Sequence, residues 1–379
     1  MSCYLNIEWG ISMKTNTGQF AFLQGSSYEI GQQQAGEFQN NPFAKSLFFT
    51  EKLISNNTYF EMKAQIEQYC PGLNKELEGF AEGFGYAPEQ LNFYQNAWLI
   101  PGGCSLGAIL PGKMADGKTY VLRNYDLSPN ISDMRLCTTN VEGKYTHTGF
   151  SVSTFGRSEG LNDKGLCVAF ASCGMPIGNY PGMRPPVVPG LQFMVIVRTL
   201  LENCKNVEEA IYTVNNMPIG TNMNLLIADA SGDAALIGTY DGVREIKRAE
   251  LDYLIATNHG LFPTIQEKEP GKLEHSQLRY DILEKKCKEN GKRSIDEIQE
   301  LLLTEFPKGL AVHNYNEGFG TVHSILLNLT DLQLEFSFGS PLQNQVNKIG
   351  VGDNFAKTQI PVEFCNKSYG TEFWKIIKS

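Results

Sequence analysis

Apolar and polar positions divide the chain into two textures. Up to about residue 103 the apolar residues recur at helical spacing. Leu73, Leu77, Phe80 and Phe84 form an i, i+4, i+7, i+11 stripe behind Pro71, as in a helix with one face on a core. Phe60, Met62, Ile66 and Tyr69 mark a helix over 57–70. Another is predicted from Tyr28 through Phe38, and Pro88-Glu89-Gln90-Leu91 opens one more. A short strand is predicted over 4–9. From Cys104 the texture changes to short apolar runs split by turns. Predicted strands cover 104–112, 118–126, 148–154, 165–172, 223–229, 234–239, 252–257, 324–329 and 333–338. Predicted helices cover 190–204, 207–216, 275–289 and 295–304. Strands, helices, strands, helices, strands is an α+β order, with helices gathered on sheet faces. Residues 343–379 show no pattern.

Composition narrows the classes. The chain has 379 residues, 42% hydrophobic and 19% charged, enough for one large or two ordinary domains with ample core. A net charge of −9 and the lack of any basic run exclude nucleic acid as a main partner, because phosphate binding needs concentrated Lys and Arg. Nine cysteines are scattered without a CxxC pair, which excludes a disulfide framework and a cysteine-rich metal site. Eight read as small buried apolar residues. The start, Met1-Ser2-Cys3-Tyr4-Leu5-Asn6, lacks a basic region and a long apolar run. The expectation is a cytoplasmic protein without a membrane partner.

The ninth cysteine carries the chemistry. Pro101-Gly102-Gly103-Cys104-Ser105-Leu106 opens one strand, and Arg123-Asn124-Tyr125-Asp126 closes the next. The polar turn Met114-Ala115-Asp116-Gly117-Lys118 between them makes the pair a β-hairpin. Its open ends lie side by side and bring a thiol next to a cation and a carboxylate. A nearby cation lowers a cysteine pKa and activates the sulfur. Read alone, Arg123 and Asp126 also fit a surface ion pair of little worth.

Gly-Cys opening a strand, followed by Arg-Asn-x-Asp, resembles the N-terminal-nucleophile cysteine hydrolases of the choloylglycine hydrolase and penicillin-acyltransferase kind. The resemblance implies a four-layer αββα sandwich over 104–379, preceded by a mainly helical propeptide or small subunit over 1–103. It implies self-cleavage between Gly103 and Cys104, after which the α-amine of Cys104 serves as base. A free α-amine titrates near 7.7–8, so this base needs no histidine.

Further positions match this family one by one. Gly160-Leu161-Asn162-Asp163-Lys164-Gly165 resembles its Gly-x-Asn-x-x-Gly turn, whose Asn is expected to donate to an oxyanion; by itself it is a common hairpin turn. Leu254-Ile255-Ala256-Thr257-Asn258-His259 resembles the strand that ends in a second such Asn; by itself it is a strand-end cap. Ser276-Gln277-Leu278-Arg279 resembles a family motif whose Arg points into the site. A cation in a first helical turn opposes the macrodipole, so something else holds it there; the plain alternative is an exposed Arg. The resemblance thus implies Cys104, Arg123, Asp126, Asn162, Asn258 and Arg279 as catalytic, with Tyr125 and His259 against the substrate. It implies no metal and no cofactor. The expected activity is hydrolysis of a linear, non-peptide amide in a small N-acyl substrate through a thioester. Two alternatives stand beside it: acyl transfer to a second amine, and a non-catalytic binding protein retaining the fold. After cleavage the two chains are expected to stay together, with a homo-oligomer left open.

Overall fold

Helical spacing in the first hundred residues becomes four helices, together with a strand the pattern did not announce. The computed structural model describes residues 17–51, 53–95, 102–174 and 187–379; the strand expected over 4–9 lies outside them. The leader contains β1 (Thr17–Gly25), α1 (Ser27–Phe38), α2 (Ala44–Phe48), α3 (Asn56–Tyr69) and α4 (Leu73–Phe84). Ser26 and Glu29 cap α1 reciprocally, which satisfies two free N–H groups at its start. The helix expected after Pro88 is reduced to two 3-10 turns, Pro88–Gln90 and Asn92–Gln95.

The hairpin follows as β2 (Gly103–Ile109) and β3 (Tyr120–Leu127). Then come β4 (Arg135–Val141), β5 (His147–Val152), β6 (Gly156–Arg157), β7 (Glu159–Asn162) and β8 (Leu166–Ser172). Helices α5 (Phe193–Asn203) and α6 (Val207–Asn215) precede β9 (Met223–Asp229), β10 (Ala234–Tyr240), β11 (Val243–Arg248) and β12 (Tyr253–Ala256). A short α7 (Pro263–Gln266) and β13 (Lys272–Leu273) lead to α8 (Glu274–Lys288) and α9 (Ile295–Leu302). The chain closes with β14 (His313–Asn314), β15 (Phe319–Asn328), β16 (Gln333–Phe338), β17 (Asn347–Gly350), β18 (Gln359–Pro361) and β19 (Ile376–Ile377).

Two sheets face each other. The larger runs β11-β10-β9-β8-β7-β5-β4-β1-β18, and the smaller β12-β2-β3-β15-β16-β17. Strand alternation builds the layers. On β8, Cys167, Ala169 and Ala171 enter the core between the sheets, with Cys104, Leu106 and Ala108 of β2. Leu166, Val168 and Phe170 point outward to Phe193, Val197 and Leu200 of α5 and to Leu77 and Phe80 of α4. On the far side, Ile109, Tyr120 and Leu122 pack on Leu283, Cys287, Ile298 and Leu302 of α8 and α9. The result is the expected αββα sandwich.

The leader belongs to this sandwich. β1 pairs in parallel with β4 and antiparallel with β18. Helices α1 and α4 cross so closely that a Cβ on Gly31 would fall on the Glu76 carbonyl. Beneath the crossing runs a buried polar chain. Glu37 accepts from Arg135 (2.6 Å) and Gln34 Oε1 from the same guanidinium (2.9 Å), while Gln34 Nε2 donates to Glu76 (2.6 Å). Glu76 takes both forks of Arg198 (2.9 and 2.5 Å), whose Nε donates to Glu202 (2.7 Å).

Candidate active site

The register of the hairpin sets the site. Cys104 lies opposite Tyr125 and Gly103 opposite Asp126. Alternation sends the Cys104 thiol, Arg123 and Tyr125 toward the space between the sheets, and Asn124 and Asp126 toward α8. Arg123 Nη2 stands 3.4 Å from the Cys104 sulfur, and its guanidinium lies 4.5 Å from the Tyr125 ring centre. Neither Arg123 nor Arg279 is exposed, so the surface alternatives for both are discarded.

Arg123 is held from behind by Glu159, which sequence reasoning missed. Arg123 Nη1 donates to Glu159 Oε2 and to the Ser158 carbonyl (2.7 Å). The other Glu159 oxygen lies 2.8 Å from His323 Nε2. Burial works against this carboxylate, yet Arg123 and His323 hold its pKa below the ordinary value. A signal existed: Glu159 shares a strand face with Leu161, which enters the inter-sheet core, and an inward-facing charge needs a partner.

The second guanidinium arrives from α8 on the opposite face. Arg279 Nη1 donates to the Cys104 carbonyl and to Ser105 Oγ (3.0 Å), and Nη2 to Asn258 Oδ1 (3.0 Å). The Cys104 N–H donates to the same Asn258 oxygen (2.7 Å). The Asn258 amide donates to the Ser172 carbonyl (3.1 Å) and hydroxyl (3.0 Å), and that hydroxyl donates to the Gly102 carbonyl (3.1 Å). Ser172 therefore joins the site from the facing sheet.

Two expectations change, for Asn162 and for the Cys104 thiol, and His259 is found paired to Ser276 and Thr257. Asn162 is engaged elsewhere: its amide donates to the Leu201 and Cys204 carbonyls (2.9 and 2.8 Å), and its oxygen accepts from Lys164 and Leu166. It caps the end of α5 and is not among the groups that meet Cys104. His259 turns its Nδ1 to Ser276 Oγ (3.0 Å) and Thr257 Oγ1 (3.1 Å). Burial and nearby Lys272 and Arg279 push its pKa down to about 3, so near neutrality it is a neutral buttress that takes up no proton. Lastly, burial raises the Cys104 thiol pKa, and Arg123 only partly offsets it. Desolvation outweighs the cation, so the resting sulfur is a thiol and needs a base.

Asp126 accepts from Thr321 Oγ1 (2.7 Å) and stands 3.9 Å from Arg279. Its second oxygen is buried without a partner among the described residues. Burial lifts the carboxyl to about 6, against the pull of Arg279. A folded pKa above the unfolded one means stability present below the unfolded value and lost as pH rises through the folded one. The rise from 3.8 to about 6 corresponds to about 3 kcal/mol. Asp126→Asn imitates the neutral carboxyl. It is expected to gain stability over wild type at pH 7.5 by about 2–3 kcal/mol and little at pH 4. Urea denaturation at both pH values measures this, and an equal difference at both would contradict the assignment.

Two facing sheets, helices outside them and a cysteine heading an inner strand define the architecture of the N-terminal-nucleophile hydrolases. Within that class, the chain belongs to the acyl-coenzyme A:6-aminopenicillanic acid acyl-transferase family, whose model matches residues 113–343. The match includes Arg123, Asp126, Asn258 and Arg279 and begins after Cys104. The family's description is one of acyl transfer to an amine, which places the chain among enzymes acting on amide bonds. No curated protein matches the sequence. Among solved structures, a variant of conjugated bile acid hydrolase from Clostridium perfringens is similar at 14% identity and TM-score 0.48, over 71% of this chain and 100% of that one. Penicillin V acylase from Agrobacterium tumefaciens is similar at 17% identity and TM-score 0.43, over 65% and 86%. The Caenorhabditis elegans ortholog of N-acylethanolamine-hydrolyzing acid amidase is similar at 14% and 0.42, over 60% and 93%.

Proposed function

We propose that the protein is a self-processing amidohydrolase that uses Cys104 as an N-terminal nucleophile on a small N-acyl amide. The observation that carries this reading is the placement of Cys104. Its sulfur faces a buried cation (3.4 Å) while its backbone N–H is gripped by Asn258 (2.7 Å). In self-cleavage the sulfur attacks the Gly103 carbonyl carbon. The Gly103–Cys104 C–N bond breaks, the nitrogen takes up a proton, and a thioester forms. Water opens the thioester, leaving a 103-residue and a 276-residue chain. The freed amine keeps the Asn258 oxygen as an acceptor, and Asp126, opposite Gly103 in the hairpin, has a buried oxygen that can serve as a second. The amine removes the thiol proton, and the thiolate attacks the substrate carbonyl. The Asn258 amide and the Ser172 hydroxyl, once released from Gly102, are donors suited to the oxyanion; Asn162 drops out of this role. The amine returns the proton to the departing amine, and water resolves the thioester.

Intact mass after expression, with turnover of N-acyl amino acids, acyl-homoserine lactones, penicillin V and bile-salt conjugates, tests the reading. Two fragments that hydrolyse one of these amides are expected. An uncut chain inert on all of them would favour a binding protein. The family's description as an acyl-transferase favours a second reading, in which an amine such as 6-aminopenicillanic acid replaces water. The ratio of new amide to free acid, as that amine is titrated in, separates the two.

A further inference from the structure

The C-terminal residues have no part in the chemistry above, yet they lie against α8, the helix that carries Arg279. β19 pairs with β13, Ile377 opposite Lys272 and Ile376 opposite Leu273. The Glu274 N–H donates to the Lys375 carbonyl (2.8 Å). Ser379 Oγ donates to Glu269 Oε2 (2.7 Å), which also accepts from the Gly260 N–H (3.0 Å). The end of the chain thus ties the loop after Asn258 to the first turn of α8. Just ahead of these ties, the 3-10 turn Thr371–Trp374 lays Phe373 flat on His275, ring centres 4.4 Å apart and planes 8° apart. Phe319 closes the edge, 5.0 Å from His275. The same Phe319 ring fills the space where a Cβ on Gly103 would stand.

His275 sits one turn before Arg279 on α8 and is 2% exposed. Its Nδ1 lies 3.3 Å from Arg279 Nη2. Arginine only donates, so Nδ1 is the acceptor and the ring is neutral with its proton on Nε2. Burial and the charge of Arg279 hold the imidazole well below its usual pKa and keep it in this form. The two Nη groups of Arg279 then face four acceptors: the Cys104 carbonyl, Ser105, Asn258 and His275. A fifth group, Asp126, waits 3.9 Å away with a free oxygen. Without His275, one buried N–H loses its acceptor, and the guanidinium is drawn toward Asp126. That swing loosens the grip on the Cys104 carbonyl and takes the oxygen meant for the α-amine.

We propose that His275 is a positioning residue: its Nδ1 fixes Arg279 on Cys104 and Asn258, and the C-terminal segment around Phe373 holds the ring in place. The inference rests on the assignment of the reaction to Cys104. Two substitutions at one position test it by their order. His275→Phe keeps the ring and its stack on Phe373 but removes the acceptor. His275→Asn offers an oxygen near the Nδ1 position but gives up the stack. Self-cleavage is followed on gels after a pulse of cell-free synthesis, and kcat and KM are measured on the best amide. The Phe variant is expected to lose about 10- to 100-fold in cleavage rate and kcat, the scale of one bond to a charged group. Its KM and melting temperature should stay close to wild type. The Asn variant should stay within about threefold in rate. The opposite order, or wild-type rates in the Phe variant, reduces His275 to packing and overturns the proposal. Should neither variant fold, Phe373→Leu keeps an apolar plug and removes the stack; unchanged kcat there overturns it equally. A wild-type chain that neither cuts itself nor turns over an amide overturns the assignment to Cys104, and this inference with it, before any variant is made.

Discussion

Cys104→Ala is expected to yield a folded chain that stays at full length and turns over no amide. The substitution removes one sulfur from a wall built by Arg123, Tyr125 and the facing sheet, so packing changes little. Chemistry loses its only nucleophile, and a drop of roughly 10⁴-fold or more is expected, as for other covalent catalysts stripped of theirs. The alanine chain also isolates the uncut state for labelling. Among the described cysteines of a chain trapped before cleavage, Cys365 is exposed and the others are buried, so iodoacetamide should modify Cys365 first. In the cut wild-type protein the α-amine can draw the proton from Cys104, and that thiol should become the fast one. Peptide mapping after brief exposure distinguishes the two. Detectable turnover by Cys104→Ala at even a hundredth of the wild-type rate would place the nucleophile elsewhere.

The second large effect is on stability. Glu76→Ala leaves Arg198 buried with Glu202 and the Phe155 carbonyl as its remaining partners among the described residues. Burial works against the charge on this guanidinium, and Glu202 and Glu76 together more than offset it. Breaking one side of such a pair costs about 3–5 kcal/mol, because the other charge stays desolvated. Lys75→Ala, one residue away on α4, provides the control. Its pair with Glu78 lies in solvent and should be worth less than about 1 kcal/mol. Denaturant midpoints of the three proteins measure both, and in cut protein the Glu76 variant should release its small chain at lower denaturant. A Glu76→Ala midpoint matching that of Lys75→Ala would mean that the polar chain does not hold the leader.

What the sequence disclosed, and what it hid, follows from which signals are local. The hairpin was legible because two apolar runs flank a turn with glycine; the pairing of Cys104 with Tyr125 was not, because the long connection between the strands leaves the register open. Helices α1, α3 and α4 were legible from one-sided stripes. β1 was not. Phe20 enters the inter-sheet core, and Ala21 and Leu23 enter a second cluster on the other face. A strand buried on both faces loses the alternation that would mark it. β18 and β19 have three and two residues and exist only through partners far away in the chain. Asn162 shows the limit of a motif: an Asn in a tight turn reads the same whether its amide faces a sulfur or the end of a helix. Glu159 and His323 were hidden for the opposite reason. Each belongs to a strand whose neighbours looked ordinary, and the partner that gives it meaning lies 36 residues from Glu159, in Arg123.

The place of β1 between β4 and β18 has a consequence for timing. β1 leaves the ribosome more than three hundred residues ahead of β18. At ordinary elongation rates the interval is on the order of tens of seconds. Until then the large sheet has an open edge along β1. Over the same interval Asn258 and Arg279 are still being added, so Cys104 has neither the acceptor for its N–H nor the cation on its carbonyl. On the proposed reading, the nucleophile is made early and armed late, so the order of synthesis would keep the nascent chain from a premature cut.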